Sequence, residues 1–170
     1  MRRLLSLLTA LPLAAVLAVA GPATSATAAC PEVGNVYYSF SNKSTSRILS
    51  NLRSEYLHGP GSINYTKNKT ATTNASMTGT VSAEAGVVFA KASASLGVTV
   101  GKTWSKGDSW SYTMSVPRGK TARMVMWHES RRFTVTKKRI VGPCNLVTVY
   151  RTRVNAPRKA SINVWRLQYK

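Results

Sequence analysis

Acidic residues are scarce: 5 Asp+Glu stand against 24 Lys+Arg in 170 residues, a net charge of +19. Only 2 histidines and 2 cysteines accompany them, so few groups remain for acid–base, nucleophilic or metal chemistry. His128 and Glu129 adjoin on an expected strand, where neighbouring side chains point to opposite faces. His58 adjoins Gly59-Pro60 in an expected loop. No nucleophile-elbow motif accompanies the serines, and no cysteine–histidine spacing suits zinc. Neither an enzyme nor a cofactor or metal site is expected. A sustained 3.6-residue apolar period is missing too, which argues against a helical fold.

What is present begins with an export signal. Arg2 and Arg3 precede an apolar run from Leu4 to Ala20, and the small residues Gly21 to Ala29 follow. The run is short, carries Pro12 and ends in Ala26-Thr27-Ala28-Ala29, so a signal peptide fits better than a membrane anchor. Cleavage after Ala28 or Ala29 leaves a secreted mature chain of residues 30–170, expected to be one β-rich domain. A lipid-modified Cys30 is disfavoured by Thr27, where such signals carry Leu. Without Arg2 and Arg3, 22 basic and 5 acidic residues remain, net +17. In an oxidising compartment Cys30 and Cys144 are expected to pair. Closing a loop of that length stabilises a fold by roughly 4–5 kcal/mol in the chain-entropy model.

Aromatic, β-branched and hydroxyl residues dominate the mature chain and predict a mostly β, antiparallel sheet or sandwich. Strands are expected at Val33–Phe40, Thr121–Glu129, Arg131–Val141, Asn145–Val154 and Ser161–Tyr169. Ser41–Ser46 is expected as a turn, and residues 47–57 as strand or short helix. Charge is uneven. Residues 30–117 hold 8 basic and 4 acidic side chains, whereas residues 118–170 hold 14 and 1.

Asn74 to Gly101 alternates small apolar and hydroxyl residues. Folded about Val87-Val88, it pairs Ser82 with Ser93 and Thr80 with Ser95 on one face. Met77 meets Val98, Gly79 meets Leu96 and Val81 meets Ala94 on the other, and Glu84 faces Lys91. Such a hairpin has a water face and an apolar face, and strands long enough to cross a bilayer. Burial within an ordinary β domain fits the same pattern. A helix over 83–94 competes, since Ala, Glu and Lys favour helices.

Several motifs occur in a recognisable order. They are Ile63-Asn64-Tyr65-Thr66, the alternating stretch with its Glu-Ala-Gly turn, Ala92 to Gly101, Ser109 to Thr113, and Val116-Pro117-Arg118-Gly119-Lys120. Over residues 62–140 this order resembles the stalk of the aerolysin-type β-pore-forming proteins, including the epsilon-toxin and mosquitocidal-toxin branch. It also resembles small secreted actinomycete proteins of unassigned activity. The resemblance implies an aerolysin-stalk-like elongated sheet whose segment 72–103 rearranges into a membrane barrel after oligomerisation. Glu84 and Lys91 would then be lumen-side charges, and Gly86, Val87, Val88 and Phe89 the leading edge. The sequence departs from that family in leaving no sizeable receptor-binding head.

In the basic third, Arg131, Arg132, Lys137, Lys138 and Arg139 cluster around Phe133 and Val135. Arg151, Arg153, Arg158 and Lys159 extend the patch, which is expected to attract anionic membranes or cell-envelope polymers. Aromatic residues at strand spacing are expected mainly in the core, with Trp104 and Trp110 the pair most suited to the surface. The expected function is thus a secreted cationic β protein that binds anionic membranes or envelopes, oligomerising there as a β-barrel pore former. The alternative is a non-inserting cationic module for polyanions, such as teichoic acid or nucleic acid, or for a partner protein. No small-molecule substrate and no specific nucleic-acid readout are expected.

Overall fold

The computed structural model describes residues 30–170, so the expected signal peptide lies outside the described residues. The described chain runs β1 (Val36–Arg53), β2 (Leu57–His58), β3 (Gly61–Asn74), α1 (Gly79–Ala83), α2 (Ala85–Leu96), β4 (Thr103–Val116), β5 (Thr121–Val141), β6 (Asn145–Pro157) and β7 (Asn163–Tyr169). The fold is mostly β, with antiparallel sheets. Sheet A centres on β5: β1 and β2 pair along one edge, and β7 and β6 along the other. Sheet B is the long hairpin β3–β4, in unbroken register from Gly61↔Val116 to Asn74↔Thr103.

The two sheets form one core on one half of β5. Alternation sends Ala122, Met124 and Met126 to one face of sheet A, where they meet Leu52, Ile63, Tyr65, Trp104, Trp110 and Trp165. The helices α1 and α2, inserted between β3 and β4, cover the opposite face of the other half. Val81, Val88, Phe89 and Ala92 pack there on Phe133, Val135, Val154 and Ala156. The insert reaches that face past the free edge of β6, where Ser76 bridges Asn155 and Val100 bridges Arg158. Gly97, at φ 67°, ends α2 in a left-handed conformation that glycine adopts without strain.

Several expectations are corrected. Ser41–Ser46 is not a turn. β1 continues through it with a register shift between Ser41 and Ser44, the bulge being taken up by Asn42 at φ 51°. Residues 47–53 are strand, and Thr121–Glu129 and Arg131–Val141 are one strand of 21 residues. The Asn74–Gly101 hairpin is replaced by α1 and α2, the helical competitor, because the helical state buries Val81, Ala85, Val88, Phe89 and Ala92 on sheet A. Trp104 and Trp110 are buried, at 4% and 5% exposure, rather than a surface pair. The disulfide Cys30–Cys144 is present, fastening the start of the described chain to the β5–β6 turn.

Gly59 is fixed by close approach. Its N–H donates to the Lys120 carbonyl at 2.8 Å, and an added Cβ would lie 2.2 Å from the Pro117 carbonyl oxygen. Backbone cannot yield as a flexible side chain does, so Gly59→Ala is expected to destabilise the fold by about 1–3 kcal/mol. A urea titration that leaves the midpoint unchanged would contradict this account.

Candidate functional site

A strand points consecutive side chains to opposite faces, so Arg131-Arg132 and Lys137-Lys138-Arg139 cannot form one patch. The register divides them. Thr134 and Thr136 face Arg153 and Arg151 on β6, and Ser41 and Ser39 on β1. Arg132, Lys138, Arg151 and Arg153 therefore share one face of sheet A with these hydroxyls. This is the face that sheet B covers at the other half of β5 and leaves bare here. Among the described residues none of the four has a carboxylate partner. Arg132 donates only to the Ser46 hydroxyl, at 3.2 Å.

The remaining cations of the expected patch lie elsewhere. Arg131 and Arg158 both hold Glu129, at 2.8 and 3.2 Å. The Lys159 ammonium donates to the Thr103 carbonyl at 2.7 Å, fastening the base of the insert. Arg139 is exposed on the strand face that carries Lys137. Lys137 turns toward the insert and pairs with Glu84.

Glu84 is the second feature of note. It sits at the junction of α1 and α2 and accepts hydrogen bonds from Lys137 Nζ, from Tyr38 Oη at 2.8 Å and from Tyr150 Oη at 3.0 Å. These three donors occupy one register row, Tyr38↔Lys137↔Tyr150, across β1, β5 and β6. One carboxylate thus pins the insert to the full width of the sheet. The Glu84–Lys91 pair expected from the hairpin does not form. Lys91 instead lies 5.3 Å over the Tyr38 ring, on the same side as the cradle.

The hydrogen bonds from Lys137 and Tyr38 hold the Glu84 carboxyl below the usual carboxylate range. The Lys137 ammonium is correspondingly raised by Glu84. Burial, with Glu84 next to it, raises both tyrosines. Of the other residues proposed for the hairpin, Val81, Val88 and Phe89 are buried and Met77, Leu96 and Val98 half-buried against sheet A. Gly86 and Val87 face solvent. The Glu84 cradle could not be read from local pattern, because its three donors lie 46, 53 and 66 positions away. One signal was available: Glu84 is the only acid between Glu55 and Asp108, in a chain where any acid has surplus cations to meet.

His128 is enclosed. Its ring stacks on Trp104 at 3.9 Å, with Nδ1 against Asn163 Oδ1 and Nε2 against the Arg158 carbonyl. His58 is exposed and meets the Thr121 hydroxyl. Among the described residues no three of His, Cys, Asp and Glu come together as metal ligands. No protein-family model, curated protein or solved structure matches this chain.

The depressed Glu84 carboxyl fixes the pH dependence of insert docking. Its contribution is complete above about pH 4.3, the ordinary glutamate value, and is lost as pH falls through the lower folded-state value. Amide protection across Ala85–Leu96, corrected for intrinsic exchange, should stay level from neutral pH to about pH 5 and fall in stronger acid. Glu84→Gln should lower that protection at neutral pH about tenfold or more, as expected for charge-assisted hydrogen bonds of ~1.5–3 kcal/mol, and remove the acid-dependent fall. Unchanged protection in the variant would mean that apolar packing alone docks the insert.

Proposed function

We propose that the protein acts outside the cell as a cationic module that settles on anionic membranes or envelope polymers through the bare half-face of sheet A. The observation that carries this reading is the set Arg132, Lys138, Arg151 and Arg153, without carboxylate partners among the described residues and interleaved with Ser39, Ser41 and Thr136, while Thr134 beneath them is buried and bonded to Asn42. Guanidinium forks and hydroxyl donors on a flat sheet suit the repeated phosphates of a headgroup layer or a phosphodiester polymer. Export is supported by the leader pattern and by the Cys30–Cys144 disulfide, which belongs to oxidising compartments. Near an anionic surface each cation is worth about 1 kcal/mol. Replacing all four by Gln should therefore weaken binding to phosphatidylglycerol vesicles by several hundredfold while leaving the circular dichroism spectrum intact. A loss of less than tenfold would remove this face from the reading.

A second reading, insertion as an oligomeric β barrel, is favoured by one specific observation. The β3–β4 ladder pairs residues whose numbers sum to 177. Continued through the insert, that register sets Met77 against Val100, Gly79 against Val98, Val81 against Leu96 and Ala83 against Ala94. Thr78 meets Thr99, Ser82 meets Ser95 and Glu84 meets Ser93 on the other side. The apolar set falls on the face that already carries Tyr65, Ala71, Trp104 and Trp110, so the helical segment retains the two-residue period of a longer hairpin. An arm so extended exceeds the 9–11 residues needed to cross a bilayer.

Gly79 and Val87 make the test clean, because both are exposed in the docked insert and both fall on the apolar face of the extended hairpin. Gly79→Asp with Val87→Asp should leave melting temperature and vesicle binding unchanged and abolish dye release and SDS-resistant oligomers. Full binding by the unaltered protein with no release from phosphatidylglycerol vesicles would leave the non-inserting cationic module.

A further inference from the structure

We propose that the cradle formed by Tyr38, Lys137 and Tyr150 is a phosphate-binding site that the insert keeps closed with the carboxylate of Glu84. The row Tyr38↔Lys137↔Tyr150 is set by sheet pairing among β1, β5 and β6, so the three residues stay side by side on one face without help from the insert. Each of the three points its polar group at Glu84 and makes no other side-chain hydrogen bond to an acceptor. Undocking uncovers two phenol hydroxyls and an ammonium on one register row, and an anion from solution can accept from all three in charge-assisted hydrogen bonds.

The number of acceptor oxygens favours phosphate over the resident carboxylate. Lys91 sits on α2 and leaves with the insert, so the opened cradle keeps Lys137 with the hydroxyls of Tyr38 and Tyr150, and exposed Arg139 lies two places along the same strand face. A phosphate monoester or inorganic phosphate carries about −1.5 to −2 near neutral pH and adds acceptor oxygens for both hydroxyls. Its entry requires Glu84 to leave, and Glu84 is the side chain that pins the junction of α1 and α2 to the sheet. Occupancy and insert docking are therefore linked, and the linkage is reciprocal: phosphate weakens docking by the factor by which docking weakens phosphate binding. The cradle lies on the opposite face of sheet A from Arg132, Lys138, Arg151 and Arg153. The inference goes beyond the surface-binding reading and can fail or hold separately from it.

The experiment titrates inorganic phosphate into the mature protein at constant ionic strength, with chloride as the balancing anion, and follows binding by calorimetry and amide exchange across Ala85–Leu96. Glu84→Gln is expected to bind phosphate at least tenfold more tightly than the unaltered protein. Adding Tyr38→Phe and Tyr150→Phe should remove the gain. In the unaltered protein phosphate, but not chloride, should accelerate exchange of the insert, a readout that holds even if Glu84→Gln folds poorly.

A second arm uses phosphatidic acid vesicles against phosphatidylcholine vesicles. A Glu84→Gln gain confined to phosphatidic acid assigns the phosphate to a lipid headgroup, and a gain with inorganic phosphate assigns it to the free anion. Equal affinities of Glu84→Gln and the unaltered protein in both arms would overturn the proposal. So would a gain that survives the two phenylalanine changes, or no acceleration of insert exchange by either inorganic phosphate or phosphatidic acid vesicles. The variant with all four bare-face cations replaced by Gln should keep its response to inorganic phosphate, which separates this site from that face.

Discussion

Backbone pairing to one strand, Thr121–Val141, organises sheet A, since β1, β2, β6 and β7 all take their partners from it. A strand of that length shows each face to two different neighbours along its course. Its first half buries Ala122, Met124 and Met126 under sheet B, and its second half buries Phe133 and Val135 under the helices. These sets belong to opposite faces of the same pleat. Covering one half on each side leaves the far side of each half without either layer, although Val125, on the far side of the first half, is still buried. The hydroxyl-and-arginine face of β1, β5 and β6 is the largest consequence, because neither sheet B nor the insert reaches it.

The insert is where local and tertiary preferences disagree. Residues 75–100 alternate as a strand pair would, yet they fold as two helices of 5 and 12 residues. Neither helix has a side-chain cap, an acid in its first turn or a base in its last. Helices so short gain little from propensity and depend on what they pack against. The apolar contacts of Val81, Val88, Phe89 and Ala92 with sheet A supply that support, and Glu84 fixes the position. Sequences that hold one period while adopting another carry a local conflict, and such conflicts mark functional or strained segments more often than inert ones.

The strands and the disulfide were legible because their signals are local or unique: β-branched and aromatic runs between breakers, and two cysteines with no other choice of partner. The merging of Thr121–Glu129 and Arg131–Val141 was not legible. Ser130 breaks no pattern of its own, and its burial beside its register partner Pro157 is a pairing fact rather than a sequence one. The hairpin expected at 74–101 had the correct alternation in the wrong state, since periodicity reports which residues share a face only once the backbone is extended. The turn expected at Ser41–Ser46 failed for a related reason: a bulge absorbs polar residues without ending a strand. Clustering the cations by sequence distance erred most, because alternation separates neighbours and gathers residues from β5 and β6 that lie about twenty positions apart.

Acid scarcity bears on both sites. Of the three carboxylates that pair among the described residues, two hold elements together: Glu129 ties β5 to Arg158, and Glu84 ties the insert to the sheet, while Asp108 meets Lys106 within β4. The cations left over must then face one another. On the bare half-face Arg132 lies diagonal to Arg153, with Thr134 and Thr136 between the charged positions. Like charges on adjacent strands oppose pairing, and a net charge this far from zero opposes the compact state as a whole. Threonine spacers and the Cys30–Cys144 bridge moderate that repulsion without removing it. A fold selected for stability alone would gain by exchanging one of these arginines for an acid or a neutral residue. The uncompensated row is what the proposed binding of a polyanion rests on, since its flat, strand-borne spacing suits an extended polyanion better than a compact one.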